Sequence, residues 1–175
     1  MYMEEYKRWL AADLEDCDLR PELSKVADND EEIKDRFAVS LAFGTAGLRG
    51  VLGAGTNRMN IYVVRQATQG LADYLNSKYD SAKSVAIAYD SRNNSAYFSQ
   101  VAAGVLAGEG IKVYLFDTLQ PTPVLSFAVR YLKCSAGIVV TASHNPKEYN
   151  GYKVYDEMGC QLVPKDANVL IKYVD

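Results

Sequence analysis

Apolar positions along this chain switch repeatedly between a three-to-four-residue spacing and short unbroken runs, the marks of amphipathic helices and buried strands. From Tyr2 to about Phe37 the pattern is helical and heavily charged, with Tyr6, Trp9 and Leu10 on one stripe. Pro21 suits the first turn of a second short helix reaching Val26, and Asp28-Asn29-Asp30 offers caps for a third, Glu31 to Val39. Asn60 then caps a long amphipathic helix from Ile61 to about Tyr79. Strand Val85–Tyr89, helix Ala96 to Ala107, strand Ile111–Phe116, a helix opening at Pro121-Thr122-Pro123 and a strand within Ala136–Val140 follow in alternation. Lys153-Val154-Tyr155 and Gln161-Leu162-Val163 read as a hairpin, and Pro164 starts a last helix. Alternating elements with short connections predict an α/β fold: a three-layer α/β/α sandwich with a mixed, mostly parallel sheet. Residues 1–40 form a preceding helical segment and 41–175 the α/β domain.

Composition narrows this little. At 175 residues, 49% hydrophobic and 23% charged, the chain is of ordinary globular make and about one domain long. Nineteen Lys and Arg against 22 Asp and Glu leave a net charge of -3, so no global field draws it to nucleic acid or to an anionic membrane. Cys17, Cys134 and Cys160 are odd in number and scattered, which fits reduced thiols in a cytoplasmic protein. The charged N-terminus is no signal peptide, and no apolar run approaches membrane-spanning length.

Chemistry concentrates in loops at the ends of strands, where α/β sheets place their sites. Thr141-Ala142-Ser143-His144-Asn145-Pro146 follows the run ending at Val140 and holds the chain's single histidine beside a hydroxyl nucleophile. A serine hydroxyl is a poor nucleophile unless a neighbour takes its proton or it is already phosphorylated. Neighbours on an extended loop point in opposite directions, which argues against a Ser143–His144 dyad, and the flanking sequence is not GxSxG. Lys153, on the following hairpin, can return toward Ser143 or sit in solvent, with Asn150-Gly151 as the tight turn permitting the return. The segment Phe43 to Gly50 sets Arg49 among glycines, fit for an oxyanion or for a plain connector. Asp90 and Arg92 read as a helix-capping pair or as direct participants. No His, Cys, Asp or Glu cluster has metal-ligand spacing.

Thr141–Pro146 together with Tyr149-Asn150-Gly151-Tyr152-Lys153 resembles the phosphoserine loop of the α-D-phosphohexomutases, the phosphoglucomutase/phosphomannomutase superfamily. Phe43–Gly50 resembles that family's glycine-rich arginine segment. Asn57-Arg58-Met59-Asn60 and Gln69-Gly70-Leu71 are similar to its phosphoglucomutase/phosphopentomutase-like branch. The family has four domains, and this chain resembles the first; the Asp-x-Asp-x-Arg metal loop of the second does not occur here. The resemblance implies a phosphosugar substrate, reversible phosphoryl transfer between C1 and the terminal carbon, and a sugar bisphosphate activator. It implies Mg²⁺ held by the Ser143 phosphate and by acids of an absent domain, with the remaining domains of the same enzyme as partners. Ser143 becomes the phosphoacceptor, Arg49, His144 and Lys153 line it, and Lys153 is a candidate general acid or base. Thr45, Asn145 and Arg92 are candidates for positioning substrate or phosphate. Such a chain alone does not complete the reaction. A free-standing sugar-phosphate or phosphopeptide binding module remains the alternative, and a serine hydrolase a further one.

Overall fold

The computed structural model describes residues 1–44 and 47–174. Its elements run α1 (Tyr2–Ala11), α2 (Leu19–Lys25), α3 (Asp30–Phe37), β1 (Leu48–Val51), α4 (Ile61–Lys78), β2 (Ser84–Tyr89), α5 (Ser95–Gly108), β3 (Lys112–Leu115), α6 (Thr122–Tyr131), β4 (Ala136–Val140), β5 (Tyr149–Tyr155) and α7 (Pro164–Val174). The sheet order is β1-β5-β4-β2-β3, with β2 parallel to β3 and β4, and β5 antiparallel to both β4 and β1. Four strands therefore share one direction, and β5 alone opposes them.

Side-chain alternation along the strands makes the layers. Val85 and Ile87 of β2, Ile138 and Val140 of β4, and Tyr152 and Val154 of β5 pack with α4, α5 and α7. Ala86 and Ala88, Val139 and Tyr155 turn the other way, under Leu125 and Val129 of α6. Helices α1 to α3 bury a separate cluster of Tyr6, Trp9, Leu19, Leu23, Ile33 and Phe37. Arg36 fastens that cluster to the loop before α4: its Nη1 donates to the Ala54 carbonyl at 2.9 Å and to Glu22, while Nε donates to Glu32 at 2.9 Å. Asn60 caps α4, its Oδ1 accepting from the Tyr62 and Val63 amides at 3.1 Å each.

Two sequence expectations change. The residues 161–163 do not form the second arm of a hairpin; Gln161 makes a single bridge to Tyr155, and β5 instead pairs along its length with β4 and β1. Asn150-Gly151 is not a turn but lies within β5, opposite Gly50 and Arg49. Glycine is required at 151 because a Cβ there would meet the Thr141 and Leu48 carbonyl oxygens at 2.6 and 2.8 Å. Strand β1 went unread because it is four residues long and includes a glycine, a weak strand signal.

Candidate active site

Three chain segments meet at one rim of the sheet. The β4–β5 loop carries Ser143; the loop leaving β2, the neighbour of β4, carries Asp90 and Arg92; and β1 brings Arg49 along the far side of β5. Arg49 pairs with Gly151, two residues from Lys153, so all three lie on one face of the sheet, and the residue opposite Arg49 brings no side chain. Gly47, at φ +90°, admits this approach: a Cβ there would stand 2.0 Å from the Tyr152 carbonyl oxygen.

Ser143 adopts φ +55°, left-handed backbone that is uncommon for a residue with a side chain and costs on the order of 1–3 kcal/mol. Its hydroxyl is exposed and accepts from Lys153 Nζ at 2.7 Å. Burial pushes the Lys153 ammonium below the ordinary lysine range, the Arg49 charge lowers it further, and Asp90 opposes both. Arg49 Nη1 donates to Asn145 Oδ1 at 3.1 Å, which leaves the guanidinium at the loop's exposed face.

Behind the loop lies a polar chain that sequence reading missed. The Ser143 amide donates to Thr141 Oγ1 at 2.9 Å, and that hydroxyl donates to Asp90 Oδ2 at 2.5 Å. Asp90 Oδ1 accepts from Ser95 Oγ at 2.8 Å and from the Arg92 amide at 3.0 Å. Asn150, fully buried, donates through Nδ2 to Ser95 Oγ and to the Asn93 carbonyl, both at 2.9 Å. Asp90 does not cap α5, whose N-cap position is Asn94 without a side-chain bond; it closes a turn with the Arg92 amide and is the hub of a network reaching Ser143. A signal existed: an Asn between Tyr149 and Tyr152, once buried, must find partners in the interior.

The candidates separate on this geometry. Ser143, Lys153, Arg49 and Asn145 are brought together. His144 is exposed and, among the described residues, makes no hydrogen bond to Ser143. Thr45 lies outside the described residues. Arg92 turns its guanidinium onto the loop, donating to the carbonyls of Ser143, Asn145, Pro146 and Tyr149. A polar depression of about 420 Å³ opens between the Asp90–Asn93 loop and Ser143, Asn145 and Lys147. An apolar cavity of about 350 Å³ near Trp9 and Tyr62 holds none of these residues. No group of three acids, cysteines or histidines gathers for a metal among the described residues, and both oxygens of Asp90 are engaged, so these side chains do not fit Mg²⁺ by themselves.

The family model of phosphoglucomutase/phosphomannomutase, α/β/α domain I, matches residues 40–175. The chain belongs to this family. A phosphoglucomutase of Staphylococcus epidermidis is 49% identical over 145 residues, covering 83% of the chain and 26% of that protein; one of Staphylococcus aureus is 46% identical over 147 residues, with 84% and 26% covered. Among solved structures, one from Thermus thermophilus, described provisionally as a phosphomannomutase, superposes with a TM-score of 0.72 at 33% identity. It covers 78% of this chain and 30% of its own. A phosphoglucomutase/phosphomannomutase family protein of Burkholderia thailandensis gives 0.64 at 26% identity, with 75% and 29% covered. The chain therefore spans about a quarter of the length of the curated relatives it matches. As a phosphohexomutase domain I, it shares their α/β sandwich. No helix among the described residues is long and apolar enough to cross a membrane.

Proposed function

We propose that this chain is the phosphoserine-bearing domain of a cytoplasmic phosphosugar mutase, an isomerase of carbohydrate metabolism that interconverts sugar 1-phosphates and 6- or 5-phosphates through a bisphosphate. The observation that carries the reading is the exposed Ser143 hydroxyl, fixed in a left-handed turn and 2.7 Å from Lys153 Nζ. In the forward half-reaction the bond between phosphorus and Ser143 Oγ breaks as a bond forms to the sugar's free hydroxyl, and that hydroxyl's proton passes to a base. Lys153 is that base in its neutral form, which a lowered affinity for the proton favours. After the bisphosphate turns over in the cleft, its other phosphate returns to Ser143, and the proton goes back. Arg49, whose Nη1 donates to Asn145 of the same loop, would supply the fixed cation that a phosphoserine of about -1.5 to -2 charges needs, with exposed His144 a further polar group of that loop. Asn145 holds Arg49 and shapes the loop. The Ser143 phosphate would supply one metal ligand and a further domain the others, and Mg²⁺ held there would offset charge on the transferred group.

The test is turnover. The complete mutase, primed with a sugar bisphosphate, converts glucose 1-phosphate to glucose 6-phosphate, and Ser143→Ala abolishes this while the isolated 175-residue chain remains inactive. Full turnover by Ser143→Ala would overturn the reading.

A further inference from the structure

Ser143 is held by one contact within the β4–β5 loop, from Thr141, and by one from outside it, from Arg92. A residue's φ and ψ are the rotations between the two peptide planes that flank it. At Ser143 both planes are pinned. The preceding one is held by the Ser143 amide, donating to Thr141 Oγ1 at 2.9 Å. The following one is held by the Ser143 carbonyl, which accepts from Arg92 Nη2 at 2.8 Å.

Arg92 extends the hold along the loop. Nη2 also donates to the Asn145 carbonyl at 2.6 Å, and Nη1 donates to those of Pro146 and Tyr149 at 2.8 and 3.1 Å. A guanidinium has five N–H donors in a rigid fork. Four here meet carbonyls, and the fifth edge, Nε, lies 3.5 Å from Asp90 Oδ2. The side chain is only 14% exposed. Asp90 in turn fixes Thr141 Oγ1, so the two residues grip the loop from one side: Asp90 through the amide before Ser143 Cα, Arg92 through the carbonyl after it. Lysine carries the same charge but has three donors on a flexible stem and cannot span four carbonyls.

We propose that Arg92, backed by Asp90, is the positioning residue that holds Ser143 left-handed with its hydroxyl on Lys153, and that neither residue contacts the transferred phosphoryl group. The proposal rests on the phosphoserine reading for its catalytic consequence and on the loop geometry alone for its conformational one. Arg92 therefore acts on the rate of transfer to and from Ser143, not on affinity for the sugar.

Two measurements on Arg92→Lys and Asp90→Asn, the second serving if the first does not fold, test it. In the 175-residue chain, the strong intraresidue amide–Hα contact in the nuclear magnetic resonance spectrum that marks positive φ at Ser143 is expected in the parent and lost in the variants, with amides of the core strands unmoved. In the complete mutase, the rate of Ser143 phosphorylation by glucose 1,6-bisphosphate is expected to fall roughly 100-fold, as about an ångström's misplacement of a reacting group brings, with KM for the bisphosphate nearly unchanged. Retention of the positive-φ signature overturns the proposal, as does a raised KM with kcat intact, the mark of a direct phosphate contact. If the parent mutase takes up no phosphate, the phosphoserine reading fails, and the spectrum still decides whether Arg92 holds Ser143.

Discussion

Replacing Asn150 with alanine separates the structural role observed here from the turn that its sequence context implies. Asn150 is fully buried in β5 and makes three side-chain hydrogen bonds: Nδ2 to the Asn93 carbonyl and to Ser95 Oγ at 2.9 Å each, and Oδ1 from the Gly151 amide at 2.7 Å. Each is worth about 0.5–1.5 kcal/mol net, and a partner left buried and unpaired costs about 1–3 kcal/mol. Three such bonds put the loss at about 3 kcal/mol, or roughly 6–12 °C in Tm for a chain of this size. The assay is urea denaturation of the 175-residue chain, followed by far-ultraviolet circular dichroism, with a shift in midpoint at constant slope. An asparagine in an exposed turn would lose less than about 0.5 kcal/mol on the same change. A loss under about 1 kcal/mol would therefore refute the buried-hub account of Asn150.

Three other outcomes follow from the same rim. Arg49→Gln removes a repelling charge, so the Lys153 ammonium should titrate higher than in the parent when followed by its ¹³Cε shift, whereas Asp90→Asn should move it lower; opposite signs would contradict the assigned causes. Since the folded chain binds the Lys153 proton more weakly than the unfolded chain, this residue's cost to folding persists below the lowered value and is relieved as pH climbs toward 10.5. Gly47→Ala forces a Cβ to 2.0 Å from the Tyr152 carbonyl in left-handed backbone, and should destabilise the chain by about 2–4 kcal/mol in thermal unfolding; an unchanged Tm would show that β1 does not approach β5 as described.

Local rules carried the sequence reading where one local signal dominates. The run Ala136–Val140 forms β4 with its expected bounds, and Asn60 caps α4 because its side chain meets the next two free amides. Ser143, Lys153 and Arg49 were legible as types: a hydroxyl at a strand's end, a lysine on the returning strand, an arginine among glycines. What escaped depended on partners far apart in sequence. Asn150-Gly151 looks like a hairpin turn, and only the Thr141 and Leu48 carbonyls pressing on position 151 show why glycine stands in a strand. Arg92 reads from sequence as half of a capping pair or as a direct participant, because nothing local shows that four carbonyls more than fifty residues downstream converge on it. Strand β1 exists through β5, its partner a hundred residues later, and not through its own four residues.

The central claim, that Ser143 carries the phosphoryl group, is tested most directly by intact mass of the complete mutase before and after glucose 1,6-bisphosphate, with fragment mapping of the modified site. The account predicts a gain of one phosphoryl group, on Ser143, lost on chasing with glucose 1-phosphate and absent from Ser143→Ala. Uptake by Ser143→Ala, or a phosphoryl group mapped to another residue, would contradict it.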